Sequence, residues 1–307
     1  MKNVMLQSML LCVALMQGLP MAHAFDAFSF GVVAHALPRT DVDSNLGNTI
    51  KETDAENLAF VVVHGLKAGR EPCTDNLYQQ RKEVLQDSQH ALILSLTASD
   101  WAECRTEVGK SDALAKLNRL RDLYFADSFS LGADKIALAR QSTIAKFRGF
   151  AENARWTIDG IMFATVNLPS DNNHYLPDAG RNSEFEDRLV ANRNWLNRVF
   201  TLAQQGKFKA VVLFSDANPL SAPNAQGRDG FAETRKLILG LATKFPGKVL
   251  LVHASGGQDN TGPRIYWQGN LGELLAAPAW MKVTVKPSGP ALFTLEPFPQ
   301  QVENRHR

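Results

Sequence analysis

The chain has 307 residues, of which 45% are hydrophobic and 21% are charged, a composition typical of a globular protein with a substantial core. This composition excludes wholesale disorder, a collagen-like repeat and a small cysteine-dense scaffold. The 33 basic and 31 acidic residues leave a net charge of +2, so nothing indicates the basic surplus of a protein that binds nucleic acid.

Residues 1–24 have the features of a cleavable secretory signal peptide. Lys2 supplies the positive N-terminal charge, an apolar stretch covers Val4–Met16, and Ala22-His23-Ala24 forms a small-x-small cleavage site. The apolar stretch is shorter than the about 20 residues that a transmembrane helix requires. We therefore expect a periplasmic or secreted protein whose residues 25–307 form a single domain without a transmembrane segment.

Short apolar runs alternate with longer amphipathic segments in the rest of the chain. The apolar runs are mostly continuous blocks of Val, Ile, Leu and Phe, as in strands covered on both faces. Strands are predicted at Phe28–Ala34, Ala59–Val63, Ala91–Leu96, Ile161–Asn167, Ala210–Phe214, Val249–Val252 and Met281–Val285. Helices are predicted at Thr74–Ser88, Ser111–Tyr124, Ser183–Ala203 and Phe231–Lys244. This alternation predicts an α/β layered fold.

Three further features refine this prediction. Leu114, Leu117, Leu120 and Tyr124 lie on one stripe of the second helix, and Ser183 with Glu186 predicts a capping box at the start of the third. The β-rich C-terminal segment predicts strands of a second sheet. Large aromatic side chains near block centres are expected in the core; they are Trp101, Trp156, Trp195 and Trp280.

Two cysteines remain after the leader, Cys73 and Cys104. An even pair in an exported chain favours a structural disulfide over two free thiols or a metal-binding pair. The bond would close a loop of about 32 residues and stabilise the fold by about 3.7 kcal/mol in the chain-entropy model.

Several ordered sequence blocks together resemble a known family. They are Phe60–Gly69 with the following Glu71–Asp75, Ser99–Cys104, Arg121–Phe125, Glu152–Trp156 and Asn167–Asn173. In this order they are similar to an exported bacterial branch of the calcineurin-like metallophosphoesterases. The resemblance implies a layered β-sandwich of two mixed sheets flanked by helices. It also implies two metal ions beyond the strand ends, where they activate water for attack on phosphorus.

Most positions at which that superfamily has metal ligands are altered in this chain. Gly65 or Leu66 stands where the resemblance places the bridging carboxylate, and Ser99 stands in place of an amide ligand. Two divalent ions repel each other at about 3.5–4 Å unless an anion lies between them. We therefore expect the dinuclear centre to be largely lost, and we expect no cofactor.

The remaining polar residues after the strands are the candidate site. His35, Asp216 and His253 could together hold one divalent ion (Mn, Fe, Zn or Mg), with Asp100 or His174 as the proton donor. Asn172, Asn173 and Asn218 could line a pocket through their amide groups. Each also has a structural alternative: a strand-end histidine bonded to backbone, a loop-fixing aspartate, or an asparagine-rich turn.

The sequence thus supports three hypotheses. The first is a non-catalytic binding protein for a phosphorylated small molecule or an envelope protein. The second is a metal-dependent phosphoesterase that hydrolyses phosphomonoesters or phosphodiesters at a non-standard, mononuclear site. The third is a structural envelope component without a ligand pocket. Metal content separates the first two.

Overall fold

A computed structural model describes residues 26–34, 46–177, 180–222, 227–255, 263–276 and 279–296, which form an α/β fold. The strands are β1 Phe28–Ala34, β2 Val61–His64, β3 Leu92–Ser95, β4 Ala139–Arg140, β5 Ala154–Ile158, β6 Ile161–Thr165, β7 Ala210–Ser215, β8 Lys248–His253, β9 Ile265–Gln268, β10 Leu271–Leu275, β11 Ala279–Val285 and β12 Phe293–Leu295. The helices are α1 Leu46–Asp54, α2 Asp75–Gln86, α3 Ala113–Tyr124, α4 Ser183–Gln205 and α5 Ala232–Lys244.

The strands form two mixed sheets. The five-stranded sheet has the order β12-β11-β1-β2-β3, and the seven-stranded sheet has the order β4-β5-β6-β7-β8-β10-β9. β1, β2 and β3 are parallel, as are β6, β7, β8 and β10, whereas β11 and β12 of the first sheet and β4, β5 and β9 of the second pair antiparallel with their neighbours. The predicted layered α/β architecture is confirmed, and parallel strands bring their carboxyl ends to one edge of each sheet.

An aromatic core fills the space between the two sheets. Alternate residues of each strand face inward, so Phe30 and Phe60 of the five-stranded side meet Trp156, Phe163 and Phe214 of the other. Phe60 packs edge-on against Phe163 with ring centroids 4.9 Å apart, and Trp156 stacks on Phe214 at 5.9 Å. These offset and edge-to-face contacts add to the burial of apolar area that holds the sheets together.

The helices cover the outer faces of the sheets. α1, α2 and α3 pack on the five-stranded sheet around residues such as Val61, Val63 and Trp101. α4 and α5 pack on the seven-stranded sheet around Trp195 and Leu251. The strands of the two sheet centres are therefore buried on both faces, which is why they are continuous apolar blocks in the sequence.

The predicted strands and helices are found, most of them with shifted ends, and two local expectations are wrong. α4 begins at Ser183 with Asn182 as its cap residue, so Ser183 forms no capping box. The Asn182 side chain instead exchanges two hydrogen bonds with the backbone of Leu176. Leu114 is 56% exposed, and the buried stripe of α3 begins at Ala113. The four tryptophans predicted for the core are all buried.

The leader-like segment lies outside the described residues. Within the described ranges, none of the helices combines the length and the apolar character needed to cross a bilayer. The predicted disulfide is confirmed: Cys73 and Cys104 are bonded, with their Cα atoms 5.9 Å apart.

Candidate functional site

Loops that follow parallel strands of both sheets meet at one edge of the molecule. We call Asp100, Asp216, His64, His174 and His253, which all lie at this edge, the strand-end site. The Asp216 carboxylate after β7 accepts the backbone N–H of Ala98, after β3, at 2.7 Å. The same oxygen accepts the N–H of Ser170, after β6, at 2.7 Å. One carboxylate thus joins loops from the two sheets, at the edge where α/β proteins usually bind ligands.

Asp216 also connects its own loop to the loop after β8. Its main-chain carbonyl accepts the N–H groups of Ala254 at 3.1 Å and Ser255 at 2.8 Å. The side chain is only 4% exposed, and burial raises the pKa of its carboxyl while the two backbone donors oppose that rise. Asp216 therefore acts as a clamp between four loops.

Asp100 has the same role within the five-stranded sheet. One carboxylate oxygen accepts the N–H of Leu66 at 2.8 Å, and the other accepts the N–H of Thr97 at 2.8 Å and its hydroxyl at 3.1 Å. Burial raises the pKa of Asp100 to about 6, against the lowering effect of these donors. Because both oxygens already accept hydrogen bonds, the side chain fixes the loop after β2 to the loop after β3.

Two buried histidines end strands of opposite sheets. His64, the last residue of β2, is 0% exposed, and neither ring nitrogen has a hydrogen-bond partner within the described ranges. Burial, helped by the nearby His253, lowers the pKa of His64 to about 3. His253 donates from Nδ1 to the carbonyl of Ser255 at 2.7 Å, and burial lowers its pKa as well. Both imidazoles are therefore neutral at physiological pH.

The asparagine-rich loop after β6 is tied to the loop before α5. Asn172, Asn173 and His174 all have left-handed backbone conformations, with φ of 41°, 57° and 51°. The Asn172 side chain accepts the N–H of Gly230 at 2.9 Å, and the Asn173 side chain donates to the carbonyl of Gly230 at 2.9 Å. A Cβ on Gly230 would lie 2.1 Å from the Asn172 carbonyl oxygen, so only glycine allows this close approach.

Arg188 of α4 is a fully buried cation that the sequence analysis missed. Its guanidinium pairs with Glu184 at 2.6 Å and donates to the side chain and the main-chain carbonyl of Asn173. It lies 5.5 Å from the ring centre of Trp101, which His174 contacts edge-on with ring centroids 5.0 Å apart. The predicted proton donor His174 is therefore packed into this stack, and burial lowers its pKa.

A buried polar network supports the asparagine-rich loop after β6. Asn167 donates to Glu152 at 3.0 Å, and its main-chain N–H donates to Asn153 at 2.8 Å. Asn192 of α4 accepts from Asn153 at 2.9 Å and donates to the Asn167 carbonyl at 2.9 Å. Glu152 is in turn held by the bidentate guanidinium of Arg121. Such a connected network rigidifies the loop that it surrounds.

Asn218, predicted to bind a ligand, makes structural contacts. Its side-chain amide donates to Glu273 of β10 at 2.8 Å, and its side-chain oxygen accepts the N–H of Leu220 at 3.0 Å. The structure therefore brings Asp100, Asp216, His174 and His253 to one edge, with Asn218 beside them. His35 lies outside the described residues, so its place in a metal site stays a prediction.

The residues present do not fit the paired-metal centre that the family resemblance implies. Gly65, with φ of 81°, or Leu66 stands at the expected carboxylate position, and the oxygens of Asp100 are engaged by loop N–H groups. In the described part of the chain, no group of three or more His, Cys, Asp or Glu side chains is arranged to hold a metal ion. No family model and no curated protein matches this sequence.

A free cation stands at the rim of the strand-end site. Arg228 is exposed, and its guanidinium lies 5.0 Å from the ring centre of Tyr175 and 5.6 Å from that of Phe185. Its main-chain carbonyl accepts the side-chain amide of Asn172 at 3.0 Å, which ties it to the asparagine loop. No carboxylate of the described residues pairs with this guanidinium. An arginine that contacts aromatic rings and has no carboxylate partner keeps N–H groups available for an anion.

Proposed function

We propose that this is an exported, non-catalytic binding protein with a metallophosphoesterase-like fold. The observation that carries the proposal is the use of Asp100 and Asp216 as clamps. Their carboxylates are buried and accept backbone N–H groups from Leu66, Thr97, Ala98 and Ser170. The carboxylates that metal-dependent hydrolysis would use as a proton donor (Asp100) and a metal ligand (Asp216) thus stabilise the loops.

Export is supported by the leader-like residues 1–24 and by the Cys73–Cys104 disulfide. Disulfides form and persist in oxidising compartments such as the periplasm. We therefore infer a periplasmic or secreted location.

A phosphorylated small molecule is the ligand class that the rim supports. Arg228 offers a planar cation with free N–H groups, and guanidinium groups bind phosphate oxygens through two parallel hydrogen bonds. The contacts with Tyr175 and Phe185 restrict the guanidinium before a ligand arrives, so less conformational entropy is lost on binding. The asparagine loop holds Arg228 in place through Asn172.

The binding test is titration calorimetry of purified protein with inorganic phosphate and a panel of sugar phosphates and nucleotides. We expect saturable binding to at least one phosphorylated ligand and a loss of at least about tenfold in affinity in Arg228→Gln. The control Arg198→Gln removes an exposed cation of α4 and should leave affinity unchanged. Equal affinity in the two variants, or no binding across the panel, would contradict the phosphate assignment.

The expected lack of catalysis is tested by elemental analysis and by assays of the hydrolysis of generic phosphomonoesters and phosphodiesters with added manganese. The proposal expects less than one tightly bound divalent ion per chain and no turnover. Near-stoichiometric metal that disappears in His253→Ala, with chelator-sensitive turnover, would establish an enzyme instead.

One observation favours that second candidate, a mononuclear metal-dependent phosphoesterase. Asp216 and His253 lie at the ends of adjacent parallel strands, where Ser215 is paired with His253. Two of the three predicted ligands are therefore neighbours in the fold.

A further inference from the structure

A groove of about 520 Å³ lies on the helical face of the seven-stranded sheet, between α4 and α5. Its floor is formed by Leu237, Gly240 and Leu241 of α5, and its walls include Arg193 of α4. The lining residues of α5 span about 16 Å, or three helical turns. We call this feature the helical groove. It is separate from the strand-end site.

Gly240 has no packing role within the described chain. It lies in the interior of α5, where glycine is less favourable than alanine. A Cβ built on Gly240 would meet no atom within 4 Å, unlike the one on Gly230, which would clash with the backbone. The missing side chain therefore leaves helix backbone open at the floor of the helical groove, which is the arrangement that lets another element approach closely.

The rim of the helical groove has a positive surplus. Lys236 and Lys244 stand on the rim two turns apart, and neither ammonium forms an ion pair with any described residue. Among the described residues that line the groove, Glu233 is the only one with a carboxylate, and it is already paired with Arg193 across the two helices. The rim thus complements negative charge, and a second copy of the same face would place lysine against lysine.

We propose that the helical groove binds an acidic amphipathic helix of a partner protein. Apolar side chains of that helix would contact Leu237 and Leu241, its backbone would approach α5 at Gly240, and its carboxylates would face Lys236 and Lys244. This is the helix-in-groove mode of recognition, in which side chains spaced by three and four residues anchor the helix. The two leucines, the open glycine and the two lysines together account for these three contacts.

The test measures binding of a labelled synthetic peptide to the full chain by fluorescence anisotropy. The peptide is a designed helix of four turns with leucine on one face and glutamate on the other, and its control has lysine in place of every glutamate. We expect saturable binding of the acidic peptide, weakening with salt, and at least about tenfold weaker binding of the basic one.

Two variants of the protein locate the site. The first variant, Gly240→Gln, fills the floor of the helical groove. The second, the double variant Lys236→Glu with Lys244→Glu, reverses the charge of the rim. Each should weaken binding of the acidic peptide at least about tenfold. Leu239→Gln, on the same helix but outside the groove, should bind like the parent chain. Gly240→Ala should raise the melting temperature because alanine favours the helix, which shows that the glycine is not kept for folding.

Four results would overturn the proposal: no binding of the acidic peptide, equal binding of the basic peptide, unchanged affinity in Gly240→Gln, or a concentration-dependent dimer that Gly240→Gln abolishes. The last result would assign the groove to a second copy of this chain. If the acidic peptide does not bind, a vesicle of anionic lipid is tried in its place, and binding to it would assign the groove to a membrane surface.

Discussion

His64 offers the sharpest test of the buried strand-end chemistry. The ring sits between the sheets near Phe214, with centroids 6.1 Å apart, and neither of its nitrogens has a partner within the described ranges. An unsatisfied buried polar group costs about 1–3 kcal/mol. We predict that His64→Leu, which fills a similar volume without polar atoms, raises the free energy of unfolding at pH 7.5 by about 1–2 kcal/mol.

The same replacement should flatten the acid side of the stability profile. Below pH 6.5 the unfolded chain protonates this imidazole, whereas the folded chain does so only near pH 3. The folded state is therefore penalised progressively as pH falls through this window. At pH 5 the penalty amounts to about 2 kcal/mol, since one unit of pKa shift is worth about 1.4 kcal/mol. The raised pKa values of Asp100 and Asp216 act in the opposite direction, but they are common to both proteins and cancel in the difference.

The assay is urea unfolding at pH 7.5 and pH 5.0, followed by far-UV circular dichroism. The gap in unfolding free energy between His64→Leu and the parent should widen by about 2 kcal/mol at the lower pH. His90→Leu is the control, because the His90 ring has hydrogen-bond partners, the carbonyls of Thr53 and Glu56. Loss of these hydrogen bonds should lower the unfolding free energy by about 1 kcal/mol at pH 7.5. A His64→Leu protein that is less stable at pH 7.5, or a gap independent of pH, would refute the reasoning.

Three other predictions concern the residues that hold the edge together. Asp216→Ala leaves the N–H groups of Ala98 and Ser170 without their acceptor. It should lower the unfolding free energy, measured by urea titration, by about 2–4 kcal/mol. A loss below about 0.5 kcal/mol would mean that Asp216 is not a clamp. Arg188→Met should lower the unfolding free energy by about 3 kcal/mol because it removes a buried ion pair. Arg193→Met removes an exposed ion pair and should lower it by less than about 1 kcal/mol. Equal melting temperatures of the two variants would contradict this contrast. The double variant Cys73→Ser with Cys104→Ser should lower the unfolding free energy by about 3.7 kcal/mol. A reducing agent should lower the unfolding midpoint of the parent but not that of the double variant. A double variant that still responds to the reducing agent would count against the bond.

The local hydrophobic pattern was sufficient to predict the central strands of the two sheets but not the strands at their edges. Strands such as β2 and β7 are buried on both faces, so each is a continuous apolar block that is visible in the sequence. β9 is largely exposed and β5 alternates, so neither stands out by hydrophobicity. α1 was missed because its segment is polar on average and buries only Leu46, Thr49, Ile50 and Thr53.

The sequence predicted which loops meet at the site but not what their side chains do there. Position after a parallel strand was enough to select Asp100, Asp216 and His253. The contacts that turn Asp216 into a clamp join residues 118 positions apart, and local patterns do not report such distances. Arg188 carried one usable signal: it lies three residues after Phe185 and seven before Trp195, on the buried stripe of α4.

The clamping by Asp216 has a consequence for the motions of the molecule. The amide hydrogens of Ala98 and Ser170 point at one buried oxygen, so neither can exchange with solvent unless loops from both sheets separate together. Hydrogen–deuterium exchange should therefore find these irregular segments as slow as the neighbouring strands. We therefore expect the chain reversals at the carboxyl edge to open together with the strands, as one cooperative unit, and not to move independently.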